Sequence, residues 1–194
     1  VIKLVRAAQS KGWLLDGSYD ALTSAYRLGE RRVDARNFYV SPSAVGARKR
    51  GNGPVDIGLR FGVPSGGRAT TSGSARFSPD SLVGLTYVPA TKTWALTQNG
   101  RPMPGVAPAT VIVQKVKEAN SSFRDVHGMP TPYTTTTGSG SAVVFTGGQQ
   151  QAASWTRLGH GTTRYRNAAG KDVLLRPGPV WILLMPTTGR VSVG

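Results

Sequence analysis

The chain has 194 residues, 39% of them apolar, with 25 glycines and 13 prolines but only 17% charged residues, a balance that argues against an all-helical protein and for many turns. Its formal charge of +15 draws it toward polyanions, less strongly as salt rises. Cysteine is absent, which excludes disulfides, thiolate zinc sites and a cysteine nucleophile.

The basic excess is spread along the whole sequence rather than gathered in a tail, and most of it is arginine, whose planar fork suits phosphate or carboxylate. Arginine with abundant Ala, Gly and Pro is also what a GC-rich genome encodes. The first residues, Val1-Ile2-Lys3-Leu4-Val5-Arg6, are too short and too charged for a secretory signal, and no apolar run approaches the ~18 residues of a membrane helix. Taken alone, they leave a cytosolic chain or one that has lost its leader.

Val1, Leu4, Val5 and Ala8 fall at helical spacing before Gly12. A second helix is expected over residues 19–28, with Ser18 as its cap, Tyr19, Leu22, Ala25 and Tyr26 on one face, and Gly29 at its end. Residues 38–43 read as a short extended piece leading into a helical turn, and residues 47–54 as a basic, Gly-rich loop. Beyond Pro54 the texture changes to short apolar runs separated by Gly, Pro, Ser and Thr, the pattern of antiparallel strands. Strands are expected over residues 57–61, 74–77, 83–88, 93–97 and 110–116. Residues 85–87 and 94–96 make a hairpin around Pro89-Ala90-Thr91-Lys92, and Asn99-Gly100 marks a further turn.

Residues 119–140, with Pro130, Pro132 and the run Thr134 to Thr137, read as an exposed loop, a partly ordered insertion or a lid. Two more hairpins follow. Residues 141–145 and 153–157 flank Gly147-Gly148, and residues 163–166 and 172–175 flank Asn167-Ala168-Ala169-Gly170. Residues 180–185 close the set. The expected class is α+β: short N-terminal helices followed by a mainly antiparallel β-sheet assembly of hairpins.

The residues offer little catalytic chemistry. Neither His127 nor His160 has a second ligand at metal spacing. Asp125 and His127 would share one side of a strand but read as a solvated pair, and His160 as a turn residue between Gly159 and Gly161. The nine acids, Asp16, Asp20, Glu30, Asp34, Asp56, Asp80, Glu118, Asp125 and Asp172, form no recognisable hydrolytic pair. No Gly-Xaa-Ser-Xaa-Gly elbow occurs, and Gly138-Ser139-Gly140 precedes a strand instead of a helix, so it is no phosphate-binding loop. No cofactor or metal is expected.

What remains is a basic surface with aromatic neighbours. Trp155 and Arg157 are two apart, as are Arg164 and Arg166, so on strands each pair shares a face. Aromatic rings with nearby arginines hold single-stranded nucleic acid or sugar rings, while tryptophans inside apolar strands, here Trp94, Trp155 and Trp181, more often belong to the core, which leaves both roles open for Trp155. The expected polyanion-binding set is Arg31, Arg32, Arg36, Arg48, Lys49, Arg50, Trp155, Arg157, Arg164 and Arg166.

Several blocks of the sequence resemble the YerB-like bacterial lipoproteins, the DUF3048 family, whose activity is not established. They are Asn37-Phe38-Tyr39-Val40-Ser41, the aromatic hairpin from Trp94 to Pro102 with its Asn-Gly turn, Thr110-Val111-Ile112-Val113-Gln114, and the ordered motifs between Thr137 and Pro186. Members commonly carry His or Asp soon after the Asn-Gly-Xaa-Pro turn, where this chain has Met103-Pro104-Gly105-Val106. The resemblance implies a helical remnant over residues 1–36 and a C-terminal-like β-rich domain over residues 37–194. It also implies an extracytoplasmic, membrane-anchored location through a lipoprotein signal that these residues do not carry. The expected function is non-enzymatic binding of an anionic cell-wall polymer or an envelope protein. The alternatives are a nucleic-acid-binding protein and, behind it, a glycan or peptide hydrolase.

Overall fold

The computed structural model describes residues 26–28, 38–41, 43, 56–159 and 161–194. Its compact units are Val1–Val55 and Asp56–Gly194. In the first, β1 (Tyr26–Leu28) pairs antiparallel with β2 (Phe38–Val40), Tyr26 opposite Val40 and Leu28 opposite Phe38.

This pairing overturns the α+β expectation. The regular structure among the described residues is strand, Ser43 being the single helical residue among them, and the end of the expected second helix is strand β1. Tyr26, which completes the helical stripe, and Leu28, the last residue of the expected helix, also alternate with Arg27, and Phe38-Tyr39-Val40 offers a β-favouring partner. A cross-strand pairing from outside the local window outweighs a weak helical period. The remaining residues of both expected helices, and the loop over residues 47–54, lie outside the described residues.

The second unit opens with β3 (Arg60–Phe61), β4 (Arg68–Ala69), β5 (Ser72–Ser78), β6 (Ser81–Val88), β7 (Thr93–Gln98) and β8 (Arg101–Pro102). It continues with β9 (Thr110–Arg124), β10 (Pro130–Thr135), β11 (Gly138–Thr146), β12 (Gln149–Arg157), β13 (Arg164–Arg166), β14 (Leu174–Leu175), β15 (Val180–Pro186) and β16 (Arg190–Val193). One antiparallel sheet runs β16-β5-β6-β7-β8. Its Asn99-Gly100 turn uses left-handed backbone at both residues, and the Asn99 amide ties the turn down by accepting from Leu82 N and donating to Asp80 O, each at 2.8 Å.

The larger sheet runs β10-β9-β11-β12-β13, with β15 parallel to β9 and β4 beside β12. Its two faces pack against different things. Val111, Val113, Phe145 and Met185 meet Val83, Leu85, Trp94 and Leu96 of the first sheet, where Trp94 stands edge-on to Phe145 with ring centroids 5.5 Å apart. On the opposite face Ile112, Val116, Ala142, Val144, Trp155 and Tyr165 are covered by Val173 and Leu175, with Leu59 packed alongside. Leu174 and Leu175 hold that cover in place by pairing parallel with Arg60 and Phe61.

Residues 119–140 do not form a loop. They are largely the distal half of β9 returning as β10, an exposed hairpin whose tip is tied by Asp125, which accepts from His127 N and Met129 N at 2.9 Å each. Strand pairing satisfies the backbone that the Thr- and Pro-rich composition had suggested was irregular; Pro130 and Pro132 fall on either side of a register shift, where a ladder tolerates proline.

Candidate anion-binding shelf

The face of the larger sheet that carries Val143 and Phe145 gives way toward one end to small hydroxyl side chains. Register sets them in rows. Ser139 lies opposite Thr156 and Thr156 opposite Arg164; in the next row Ser141 lies opposite Ser154 and Ser154 opposite Arg166. Because side chains alternate along a strand, all six project to one side, and all six are exposed. The rows stand about 7 Å apart, two residues of strand. Ser and Thr leave the backbone low, so the two arginines border a shelf instead of protruding from a crowded surface.

Between them, Trp155 and Tyr165 point the other way, into the core. The Trp155 indole is buried and donates to Lys115 O at 2.8 Å. The Tyr165 hydroxyl donates to Gln114 Oε1 at 2.5 Å, and burial pushes its ionisation upward. Trp155 therefore offers no ring to a ligand. Arg157, on the Trp155 side of β12, turns back to donate its Nε–H to Gly161 O at 3.0 Å and holds the β12–β13 loop.

Asp172 organises the arginines. Its carboxylate lies 3.7 Å from Arg164, 3.6 Å from Arg166 and 4.0 Å from Arg60. Arg60 has a second partner in Asp56, whose carboxylate it meets at 3.1 Å. That hydrogen bond, with another from Gly58 N, holds the Asp56 carboxyl below the ordinary carboxylate range. The balance leaves Arg164 and Arg166 sharing one carboxylate with a third cation. Their side chains keep 44% and 55% of their exposure, and neither guanidinium hydrogen-bonds a protein group among the described residues. Ten N–H donors on two such forks therefore face solvent or a ligand. Thr156, Leu158, Gly161 and Thr162 join the two arginines around a cavity of about 350 Å³.

Of the expected polyanion-binding residues, the structure brings Arg164 and Arg166 together on the shelf, with Arg157 behind the loop and Trp155 in the core. Arg31, Arg32, Arg36, Arg48, Lys49 and Arg50 lie outside the described residues, as does His160. Sequence reading missed Arg60, Asp56 and Asp172, because they reach the site through the parallel β3–β14 pair and an isolated Arg166–Asp172 bridge, neither of which leaves a local signal. It also missed the serines: Ser139 reads as a turn residue in Gly138-Ser139-Gly140, and Ser141 and Ser154 as ordinary strand positions. Among the described residues no three His, Asp or Glu side chains gather as a metal site.

Met103 packs against the first core, so the position after the Asn-Gly turn is apolar in fold as in sequence.

Comparison with known proteins places these elements. The chain belongs to the DUF3048 family: the profile of the C-terminal domain of this protein of unknown function matches residues 74–182. Among solved structures, the YerB protein from Bacillus subtilis is similar in fold, with a TM-score of 0.61 at 16% sequence identity. The match covers 91% of this chain and 60% of the YerB chain, so this chain spans less than two thirds of that chain's length. No match is found among curated proteins.

Proposed function

We propose that this DUF3048 protein is a non-enzymatic binding module for an anionic polymer of the bacterial cell envelope, held on the shelf of Arg164 and Arg166. The observation that carries the reading is the pair of arginines on one sheet face, their backbone positions about 7 Å apart along the strand, bordered by the hydroxyls of Ser139, Ser141, Ser154 and Thr156 and sharing a single carboxylate. Repeating anionic groups along a polymer would meet successive arginines, and its hydroxyls would meet the Ser and Thr rows. The extracytoplasmic, lipid-anchored location is part of this proposal and rests on the family resemblance.

Nucleic acid would satisfy the same charge, and its bases would need rings to stack on. The aromatics of β12 and β13, Trp155 and Tyr165, are turned into the core. That favours a polyanion without bases.

The test is co-sedimentation of the chain with isolated bacterial cell walls over a salt series, with single-stranded and duplex DNA as competitors. Retention at physiological salt and in excess DNA, lost in the Arg164→Ser, Arg166→Ser double variant, is the expected result. Transfer to DNA, or equal retention by the double variant, would remove the reading.

A further inference from the structure

A second site lies beside β12, away from the arginine shelf. One edge of β12 is paired with β11 over its whole length. The other edge is paired at both ends and open between them: Gln149 and Gln150 meet β4, Ser154 to Thr156 meet β13, and residues 151–153 have no strand partner there. The backbone direction inside the gap follows from β13. Val173 N donates to Tyr165 O at 2.9 Å, so Tyr165 turns its backbone groups away from β12. Arg164 and Arg166 then turn theirs toward it, to Thr156 and Ser154. Two residues earlier, Ala152 shares the orientation of Ser154. Its N–H and C=O point together into the gap, where Ala152 is exposed.

The gap is a shallow, open groove of about 420 Å³, lined by Gly66, Arg68, Gln150, Ala152, Asn167 and Ala169 among others. Both ends are fixed. At one, the Gln151 amide donates to Gly66 O at 3.3 Å; at the other, Asn167 Oδ1 accepts from Ala169 N and Lys171 N at 3.0 Å each. Arg68, at the β4 end, is exposed, and its guanidinium has no hydrogen-bond or ion-pair partner among the described residues.

We propose that this notch binds the C-terminal end of a short, extended peptide, whose backbone pairs with Ala152 and whose carboxylate meets Arg68. The gap admits about three residues of strand, roughly 10 Å, with β4 and β13 in line at its two ends, which suits a short chain terminus better than a long segment running through. The polarity agrees. A ligand antiparallel to β12 runs from the Ser154 end toward the Gln150 end, which brings its carboxylate to Arg68, the one cation lining the notch among the described residues. This site does not depend on the shelf.

The test uses the full chain and N-acetyl-trialanine, with its C-terminal amide as control, followed by amide and arginine side-chain NMR. The acid is expected to shift the Ala152 amide and the Arg68 Nε–H in a saturable way. Amidation of the peptide, or Arg68→Ser, should weaken binding roughly tenfold or more, while Arg164→Ser with Arg166→Ser leaves it unchanged. No saturable shift of Ala152, equal binding of acid and amide, or shifts confined to Arg164 and Arg166 would each overturn the proposal. Because Arg68 is exposed and unpartnered, its replacement leaves the fold intact, and the amide control reads the same contact without any mutation.

Discussion

The indole Nε1–H of Trp155 donates to the carbonyl of Lys115 across 40 residues of sequence, at 2.8 Å and out of solvent. The contact locks β12 to the middle of β9, and it needs Gly140 between them: a Cβ at that position would lie 2.6 Å from Trp155 Nε1 and 2.9 Å from Lys115 O. The arginine shelf stands on the other side of this joint, so its flatness depends on it.

Trp155→Phe should lower the free energy of unfolding by about 2–3 kcal/mol, from the lost hydrogen bond and the space left by the smaller ring. Gly140→Ala should destabilise by a comparable amount in the native background and by clearly less in Trp155→Phe, where its main clash is gone. Urea unfolding of the two single variants and the double variant measures the coupling; strict additivity would mean that the joint is not as described.

Tyr165 gives the protein an alkaline limit. Burial raises its ionisation in the folded state above the ordinary value of 10.0, so the neutral phenol contributes stability that is whole below pH 10 and is lost as pH rises through the folded value. Tyr165→Phe should cost about 1–3 kcal/mol at neutral pH, since Gln114 loses its buried donor. The variant should lack the phenol's share of the decline above pH 10. Chemical denaturation at pH 8 and pH 10.5 compares the two slopes.

Asp56 acts at the other end of the scale. The Arg60 side chain and then Gly58 N hold its carboxyl below 3.8, so its ion pair is complete above that value and is lost as pH falls through the lower folded one. The amide of Gly58, bonded to Asp56 Oδ1 at 2.7 Å, should titrate below pH 3.8 in the native protein and stay flat in Asp56→Asn. An unchanged Gly58 titration in the variant would assign the transition to another group.

Asp172→Asn removes the carboxylate shared by Arg60, Arg164 and Arg166. With the pairs partly exposed, stability should change by no more than about 1 kcal/mol. Polyanion affinity should instead rise, and its dependence on salt should steepen by roughly one further counterion. Weaker binding in this variant would mean that Asp172 shapes the site more than it competes with the ligand.

Much of the β architecture was legible where a strand pairs with its neighbour in sequence. The hairpin of Leu85 with Leu96 and Tyr87 with Trp94, the Asn99-Gly100 turn, and the β11–β12 pair around Gly147-Gly148 all have local turn chemistry and alternation. Legibility ended where partners are distant. The alignment of Ile182 with Ile112 in a parallel pair, the β3–β14 cover and the Tyr26–Val40 pairing have no signal within a window of a few residues. At the site, the two-residue spacing of Arg164 and Arg166 announced a shared face, whereas the same spacing in Trp155 and Arg157 placed a core residue beside a loop clamp. Spacing gives a common side and leaves open which side is wet. Only the sheet that covers one face decides that.

The measurement that bears most directly on the central claim is the affinity of the chain for soluble poly(glycerol phosphate), followed through the Nε–H resonances of Arg164 and Arg166. These two resonances should shift together on saturation, ahead of the other arginines, and Arg164→Ser with Arg166→Ser should lower affinity at least tenfold at physiological salt. Shifts spread evenly over all arginines, with affinity unchanged in the double variant, would contradict that claim and assign the binding to net charge alone.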